Sequence, residues 1–355
     1  MNWKNDLTRK LAIDYPFIQA PMFGVTTPEM VAAASNINCI GSLCLADLNT
    51  EKCIQAIRAT KKLTNKPFIA NFFAHSIPEI TDTLRSKYNH AKAFIEQLAN
   101  EHNMHLEISD IDDLQISSYQ EPIEAILAEE CKLVSFTFGN IDQQNIEILK
   151  SKGTILIGTC TSVEEAIILE NAGIDIICVQ GLEAGGHRGS FNSEEIPKIG
   201  GLSLLAQVSD TIHLPIIYAG GIYNAKTLLA AKTLGAQGFQ IGSLLLGSKE
   251  SALKEFEKER LRKVKEDEIV LTKSFSGRYA RGIKNKFISS LEDSKFILPY
   301  PYQNKLTAEI RRMAKEHQNT EFLNIWLGQS ICNYNEGSTS DILRTLIIDT
   351  ENIRI

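Results

Sequence analysis

The sequence predicts an α/β protein built on a (β/α)8 TIM barrel. Short apolar runs rich in Ile and Val recur between residues 17 and 241, each separated from the next by a segment of helical spacing. The runs lack the polar alternation of half-exposed strands, as expected of parallel strands covered on both faces. Eight of them occur before the repeat stops near residue 260, and eight strands are what such a barrel needs. An open doubly wound sheet is the alternative. Against it, the turn after the first run carries no Gly-x-Gly-x-x-Gly phosphate loop.

Phe17-Ile18-Gln19-Ala20 reads as the first strand and ends in Pro21-Met22-Phe23-Gly24. Thr27-Pro28 then marks a helix start, with Thr as cap and Pro in the first turn. Cys39-Ile40-Gly41-Ser42-Leu43 is the second strand, followed by a helix over 50–63, and Pro67-Phe68-Ile69-Ala70-Asn71-Phe72 is the third. From 74 to about 130 the chain turns polar and charged, which predicts a helical insertion with pieces around 87–103 and 121–130. Its His90, His102 and His105 read as surface residues, because no carboxylate–histidine spacing supports a metal site. Leu133-Val134-Ser135-Phe136-Thr137-Phe138 and Thr154-Ile155-Leu156-Ile157-Gly158-Thr159 are strands four and five, with helical spacing over 142–152 between them. Thr161 and Ser162, ahead of Glu164 and Glu165, start the next helix with a cap and acids in its first turn. Residues 174–179, Pro215-Ile216-Ile217-Tyr218-Ala219 and Gly238-Phe239-Gln240-Ile241 complete the eight.

The barrel is therefore assigned to residues 1–260 and a mainly helical C-terminal extension to 261–355. Helices are expected over 255–268, over 306–317 and around 322–329. No low-complexity linker separates the two parts, so the extension is expected to pack on the barrel. Tyr300, Tyr302 and Lys305 lie in a Pro-punctuated stretch that is expected to cap the barrel mouth and to meet an anionic substrate.

Composition narrows the function classes. The 355 residues carry a formal net charge of -6, which argues against a nucleic-acid binder with its basic face. No apolar run approaches the ~20 residues that span a bilayer, and the N-terminus has no signal-peptide apolar region. The seven cysteines are scattered, without a Cys-x-x-Cys pair, so neither a zinc site nor a disulfide framework is expected. A cytoplasmic location follows.

Active sites of such barrels lie at the C-terminal ends of the strands. Those ends offer Met22, Asn71, Gln180, Gly220-Gly221 and Gln240-Ile241-Gly242-Ser243. After the sixth strand comes Gln180-Gly181-Leu182-Glu183-Ala184-Gly185-Gly186-His187-Arg188-Gly189, a Gly-rich loop that lets a flat ligand approach the backbone. His187 is its candidate catalytic base. Gly220-Gly221 and Gly242-Ser243 fall in adjacent loops, where unobstructed amides and one hydroxyl form an anion nest suited to a phosphate. Asn71 and Gln180 both donate and accept, matching the edge of an isoalloxazine. Together these features point to flavin mononucleotide (FMN). Met22 either rests near the ring system or closes the barrel top as core.

The chain resembles the class I nitronate monooxygenases, also called 2-nitropropane dioxygenases. The resemblance rests on Gln19-Ala20-Pro21-Met22 with Thr27-Pro28, Asn71-Phe72-Phe73, the Gly-rich loop, Ala219-Gly220-Gly221-Ile222, Gln240-Ile241-Gly242-Ser243, Ser276-Gly277-Arg278-Tyr279-Ala280-Arg281 and Trp326-Leu327-Gly328-Gln329. It implies non-covalent FMN, O2 as co-substrate and His187 beside the flavin. It also implies FMN contacts at Asn71, Gln180, Gly185, Gly221 and Gln240 to Ser243. Ser243 stands where the family usually has Thr, Asn38-Cys39 where Gly-Gly is common, and Tyr218 where Ala is common. The implied activity is oxidation of alkyl nitronates to carbonyl compounds and nitrite, with propionate 3-nitronate and neutral nitroalkanes as candidate substrates. The alternative is an FMN-dependent NAD(P)H oxidoreductase on the same barrel, an enoyl-thioester or quinone reductase. No metal, nucleic acid or membrane partner is expected, and the oligomeric state is left open.

Overall fold

The structure, a computed structural model, describes residues 1–292, 294–332, 334 and 336–353. Eight parallel strands form the barrel: β1 (Phe17–Gln19), β2 (Ser42–Ala46), β3 (Ile69–Phe73), β4 (Leu133–Thr137), β5 (Ile155–Cys160), β6 (Ile176–Gln180), β7 (Ile216–Ala219) and β8 (Gly238–Ile241). Neighbours in sequence pair, and β8 pairs with β1. The seam between β1 and β2 is the thinnest, a single bridge from Ile18 to Ile40. Buried Gln19 reinforces it: its Oε1 accepts from the Ser42 N–H at 3.1 Å, and its Nε2 donates to Thr26 Oγ1 at 3.1 Å. β2 begins later than the expected 39–43 because Gly41 runs against the helix Pro28–Ser35, where a Cβ would sit 2.3 Å from the Val31 carbonyl oxygen.

Side chains alternate across each strand with period two. Ala70, Phe72, Val134, Phe136, Leu156, Val179 and Ile241 point outward and pack with the helices in the main core. Ile18, Ile69, Leu133, Ile157, Ile176 and Ile217 point inward and fill the lower barrel. Leu7 and Leu11 join that inner cluster from the N-terminal helix Asp6–Leu11, which plugs the bottom. No sequence signal was assigned to this helix, which is too short for a clear apolar period.

Between β3 and β4, helix Asp82–Asn100 buries Tyr88, Ala91 and Ile95 in a second core shared with the C-terminal residues Phe287, Tyr302 and Leu306. Helix Gln120–Ala128 instead packs on Thr50–Leu63 in the outer ring, with Ile123 and Ile126 in the main core. The extension is mainly helical, with helices Lys286–Leu291, Tyr302–Leu306, Ala308–Glu316 and Thr339–Asn352, and it also carries a small sheet. The charged helix stops at Arg262, and strands Ile269–Thr272 and Ala280–Ile283 form an antiparallel sheet with the two residues Gly186–His187.

The helix expected around 322–329 is absent. A single 3-10 turn, Thr320–Phe322, leads into an extended segment. Ile283 N–H donates to Ile325 O at 3.0 Å, Leu327 N–H to Arg281 O at 3.3 Å, and Trp326 bridges Gly282. Gly282 permits this, since a Cβ there would meet the indole at 2.5 Å. Helix Thr339–Asn352, for which the sequence reading had no element, packs between Pro28–Ser35 and Ala225–Thr233 and so takes the eighth place in the outer ring.

That last helix is expected to stabilise the barrel itself. Leu343→Ala removes a fully buried side chain from the main core and should cost about 2–5 kcal/mol. Ile348→Ser, on the same helix but 55% exposed, should change stability by about 0.5 kcal/mol or less. Urea unfolding midpoints of the two variants check this.

Candidate active site

The inward row of each strand changes character as it rises. On β3 it runs Ile69, Asn71, Phe73; on β4, Leu133, Ser135, Thr137; on β6, Ile176, Cys178, Gln180. The apolar lower layer closes the barrel, and the polar upper layer floors a cavity at the C-terminal ends. Asn71, Gln180, Gln240 and Met22 all line it. Ile241 does not: alternation turns its side chain outward into the main core.

Two of the amides are partly committed. Asn71 Nδ2 donates to Ser135 Oγ at 2.8 Å. Gln180 Nε2 donates to His187 O at 3.0 Å, and Gln180 Oε1 accepts from the Gly189 N–H at 2.8 Å. Gln180 therefore folds the Gly-rich loop back over its own strand. Arg188, almost fully buried, clamps the same loop through Nη1 to Gly181 O at 2.5 Å and Nη2 to Gln180 O at 3.1 Å. Gly186, at φ 71°, sits in the left-handed region that a side chain would strain.

His187 is presented from this clamped loop into a chamber of aromatic rings. Phe138, Trp326 and Phe73 lie with centroids 5.5, 5.8 and 6.1 Å from the imidazole. Phe138 itself is held at φ 81°, backbone strain of the kind that clusters at functional sites. His187 Nε2 lies 2.8 Å from Ser276 Oγ, and that hydroxyl donates to Arg278 O at 3.1 Å. This network puts the imidazole proton on Nε2 and leaves Nδ1, which has no partner among the described residues, as an acceptor. Burial, then the positive charges of Arg278 and Arg311, push the His187 pKa down to about 3. The ring is neutral at physiological pH.

The two Gly-containing loops expected to form an anion nest lie side by side at the cavity. Gly220 and Gly221 have φ 120° and 69°, and they line the cavity together with Gly185, Gly242 and Ser243. The extended tail crosses here. Gly328 N–H donates to Ser243 Oγ at 2.8 Å, Gln329 N–H to Glu183 O at 2.9 Å, and Ser330 Oγ to Gly221 O at 3.1 Å. Ser243 thus accepts from the tail and keeps its own O–H as a donor. Gly185 allows the crossing, because a Cβ would lie 2.4 Å from the Leu327 backbone.

At the other end of the cavity stands a charged group that no local motif marks. Asp47, at the end of β2, accepts from the Tyr300 hydroxyl at 3.1 Å and lies 3.9 Å from Lys305 Nζ. Arg311 and Asn304 also face the cavity. Of the expected capping residues, Tyr300 lines it, whereas the Tyr302 hydroxyl donates to Pro78 O at 2.5 Å, and Lys305 reaches it only through Asp47. Arg311 follows buried Ile310 on its helix and turns into the cavity, whereas Arg312, about 100° further round, is exposed. Tyr218 fills space outside the cavity: its hydroxyl occupies the room that a Cβ on Gly201 would need, at 2.0 Å.

Among the described residues no helix is long and apolar enough to cross a membrane, and no group of three or more His, Cys, Asp or Glu is placed to hold a metal. The family model for nitronate monooxygenase matches residues 4–349. A probable nitronate monooxygenase of Staphylococcus aureus (strain Newman) is 38% identical over 330 residues, 92% of each chain. The solved structure of a nitroalkane oxidase from Streptomyces ansochromogenes superposes with a TM-score of 0.87 at 29% identity, covering 98% of both chains. FabK from Thermotoga maritima, at 22% identity and a TM-score of 0.75 over 98% of this chain and 96% of its own, shares the fold. With a whole-length family match laid over this barrel, the chain belongs to the nitronate monooxygenase family of oxidoreductases.

Proposed function

We propose that the protein is an FMN-dependent nitronate monooxygenase that oxidises alkyl nitronates with O2 to carbonyl compounds and nitrite. The residues at the strand ends fit the cofactor. Two adjacent loops present glycine amides at positive φ, and Ser243 retains an uncommitted O–H; that set suits one phosphate. Gln240, the free N–H of Asn71 and the remaining amide valences of Gln180 face the space where a ring edge would lie. FMN, when bound, supplies the redox chemistry toward the nitronate and O2.

The chain's own contribution is a positively biased chamber with a neutral imidazole in its wall. The observation that carries the proposal is the state of His187. With its pKa pushed down to about 3, it is present as the free base but has little driving force to take a proton from carbon. A neutral nitroalkane requires that step, and a preformed nitronate does not. Arg278 and Arg311, which add to burial in holding His187 neutral, also favour an anion in the chamber. The site therefore suits a substrate that arrives already deprotonated.

Three outcomes test this. Purified protein should release FMN on denaturation, as read by chromatography. Gly221→Asp, which adds a carboxylate at the nest, should bind little of it, while Ser243→Ala should weaken binding by about 1 kcal/mol. Release of FAD, or normal FMN content in Gly221→Asp, would contradict the assignment of the nest.

His187→Asn should keep most of its turnover of preformed ethyl nitronate. Turnover of nitroethane should be low already in the wild type, and its further loss in His187→Asn should stay within about 10²-fold, the low end of what a general base contributes. Equal losses on both substrates would give His187 a different role.

The lowered His187 pKa also fixes the sign of the pH dependence. The neutral ring is fully present above its folded pKa and is lost only as pH falls through that value. A kcat profile on nitroethane should show no enzyme group titrating near pH 6.5, where an ordinary imidazole would. An acid limb centred there would mean that His187 is solvated.

A further inference from the structure

The polar floor of the cavity is not continuous. Ile69, Ile157, Cys178 and Ile217 line the cavity as well, although each stands one inward position below a floor residue. Ile69 lies under Asn71, Ile157 under Thr159, Cys178 under Gln180 and Ile217 under Ala219. The gap is beside β7. Ala219 is the register neighbour of both Gln180 and Gln240, and between those two long amides it presents only a methyl group. Below it, Ile217 pairs with Cys178. The cavity therefore continues past the strand ends into a well inside the barrel.

The well is apolar and closed at its base. Its four side chains belong to the inner cluster with Leu7 and Leu11. They are 1–2% exposed, whereas Ile176 and Ile18, further down their strands, are fully covered. Ser135 and Thr159 place hydroxyls at the rim, where the Ser135 oxygen already accepts from Asn71. Among the four side chains of the well the only heteroatom is the Cys178 sulfur. Burial pushes that thiol up to about 12, so it is neutral, and a neutral thiol is a weak hydrogen-bond partner. A buried water needs about two to four polar partners to stay. An apolar solute needs none, and apolar cavities stay dry and admit such solutes.

The co-substrate of the proposed reaction is a solute of that kind: O2 is small, uncharged and without a dipole. We propose that this well is a binding site for O2, entered through the gap at Ala219, which holds O2 on the strand side of the floor while the nitronate occupies the chamber around His187. The amides of Asn71, Gln180 and Gln240, proposed above to edge the flavin, separate the two spaces. The two co-substrates then do not compete for one volume. The proposal rests on the nitronate reading for its ligand, but the well itself can be tested without turnover.

Crystals of the purified holoprotein pressurised with xenon provide that test. Xenon should lie in van der Waals contact with Ile157, Cys178 and Ile217. Cys178→Met, which fills the well, should exclude it, and Ile217→Phe serves should Cys178→Met fail to fold. Rapid mixing of the photoreduced flavin with O2 then tests the ligand. The second-order rate constant for reoxidation should fall by about 10-fold in the filled variant, the factor supplied by moving a solute the size of about two methylenes into an apolar site. FMN content and the rate of anaerobic flavin reduction by ethyl nitronate should stay at their wild-type values. No xenon in the wild-type well, or wild-type reoxidation in a variant from which xenon is excluded, overturns the proposal. Equal slowing of reduction and reoxidation also overturns it, because a displaced cofactor would do the same. If xenon binds and reoxidation slows as stated, but no nitronate reduces the flavin, the well stands and the nitronate reading fails.

Discussion

Everything at this site depends on the two-residue alternation of parallel strands in a closed barrel. Closure leaves each side chain two choices, the interior or the helix layer. A strand such as β3 must then place Ile69, Asn71 and Phe73 in one inward column, with Ala70 and Phe72 behind them. The aliphatic lower layer packs on Leu7 and Leu11 and excludes water from below. The polar upper layer is thereby forced into one shared space. A slip of one residue in register would exchange Asn71 for Phe72 and dismantle the floor.

A second dependence runs through the C-terminal extension. The barrel alone supplies the loops of Gly220-Gly221, Gly242-Ser243 and Gly185, but the crossing tail ties them together. Gly328 and Ser330 tie to Ser243 and Gly221, and Gln329 ties to Glu183. The sheet that carries Ala280–Ile283 pairs directly with Gly186–His187, so the catalytic candidate is itself an edge strand of the extension. Ser276 sets the tautomer of His187 from the same segment, and Arg278 adds to the burial that keeps the ring neutral. Extension and barrel thus build one site.

Much of this was legible in the sequence because it depends on local pattern. Eight apolar runs and their polar ends sufficed for the barrel and for the grouping of Asn71, Gln180, His187 and Gly220-Gly221 around one cavity. What escaped depends on contacts distant in sequence. The run through Trp326 has the composition of an amphipathic helix but is captured as an extended strand by Arg281 and Ile283. Ile241 adjoins the nest in sequence, yet alternation turns its side chain away. Asp47 and Arg311 lie far apart in the chain, and nothing local marks either as facing a ligand. Helix Thr339–Asn352 escaped as well, because only the gap left in the ring after β8 gives it its place.

The central claim is that this chamber takes a carbanion-like anion and spends O2 on it, with His187 neutral and the cations Arg278 and Arg311 setting the field. The most direct measurement is O2 uptake with simultaneous nitrite release when propionate 3-nitronate is added to the purified protein, compared with NADH and NADPH under the same conditions. The account predicts nitronate-dependent O2 uptake accompanied by nitrite, and little oxidation of either nicotinamide. Oxidation of NADH or NADPH, stimulated by an enoyl thioester or a quinone and without nitrite from the nitronate, would contradict it.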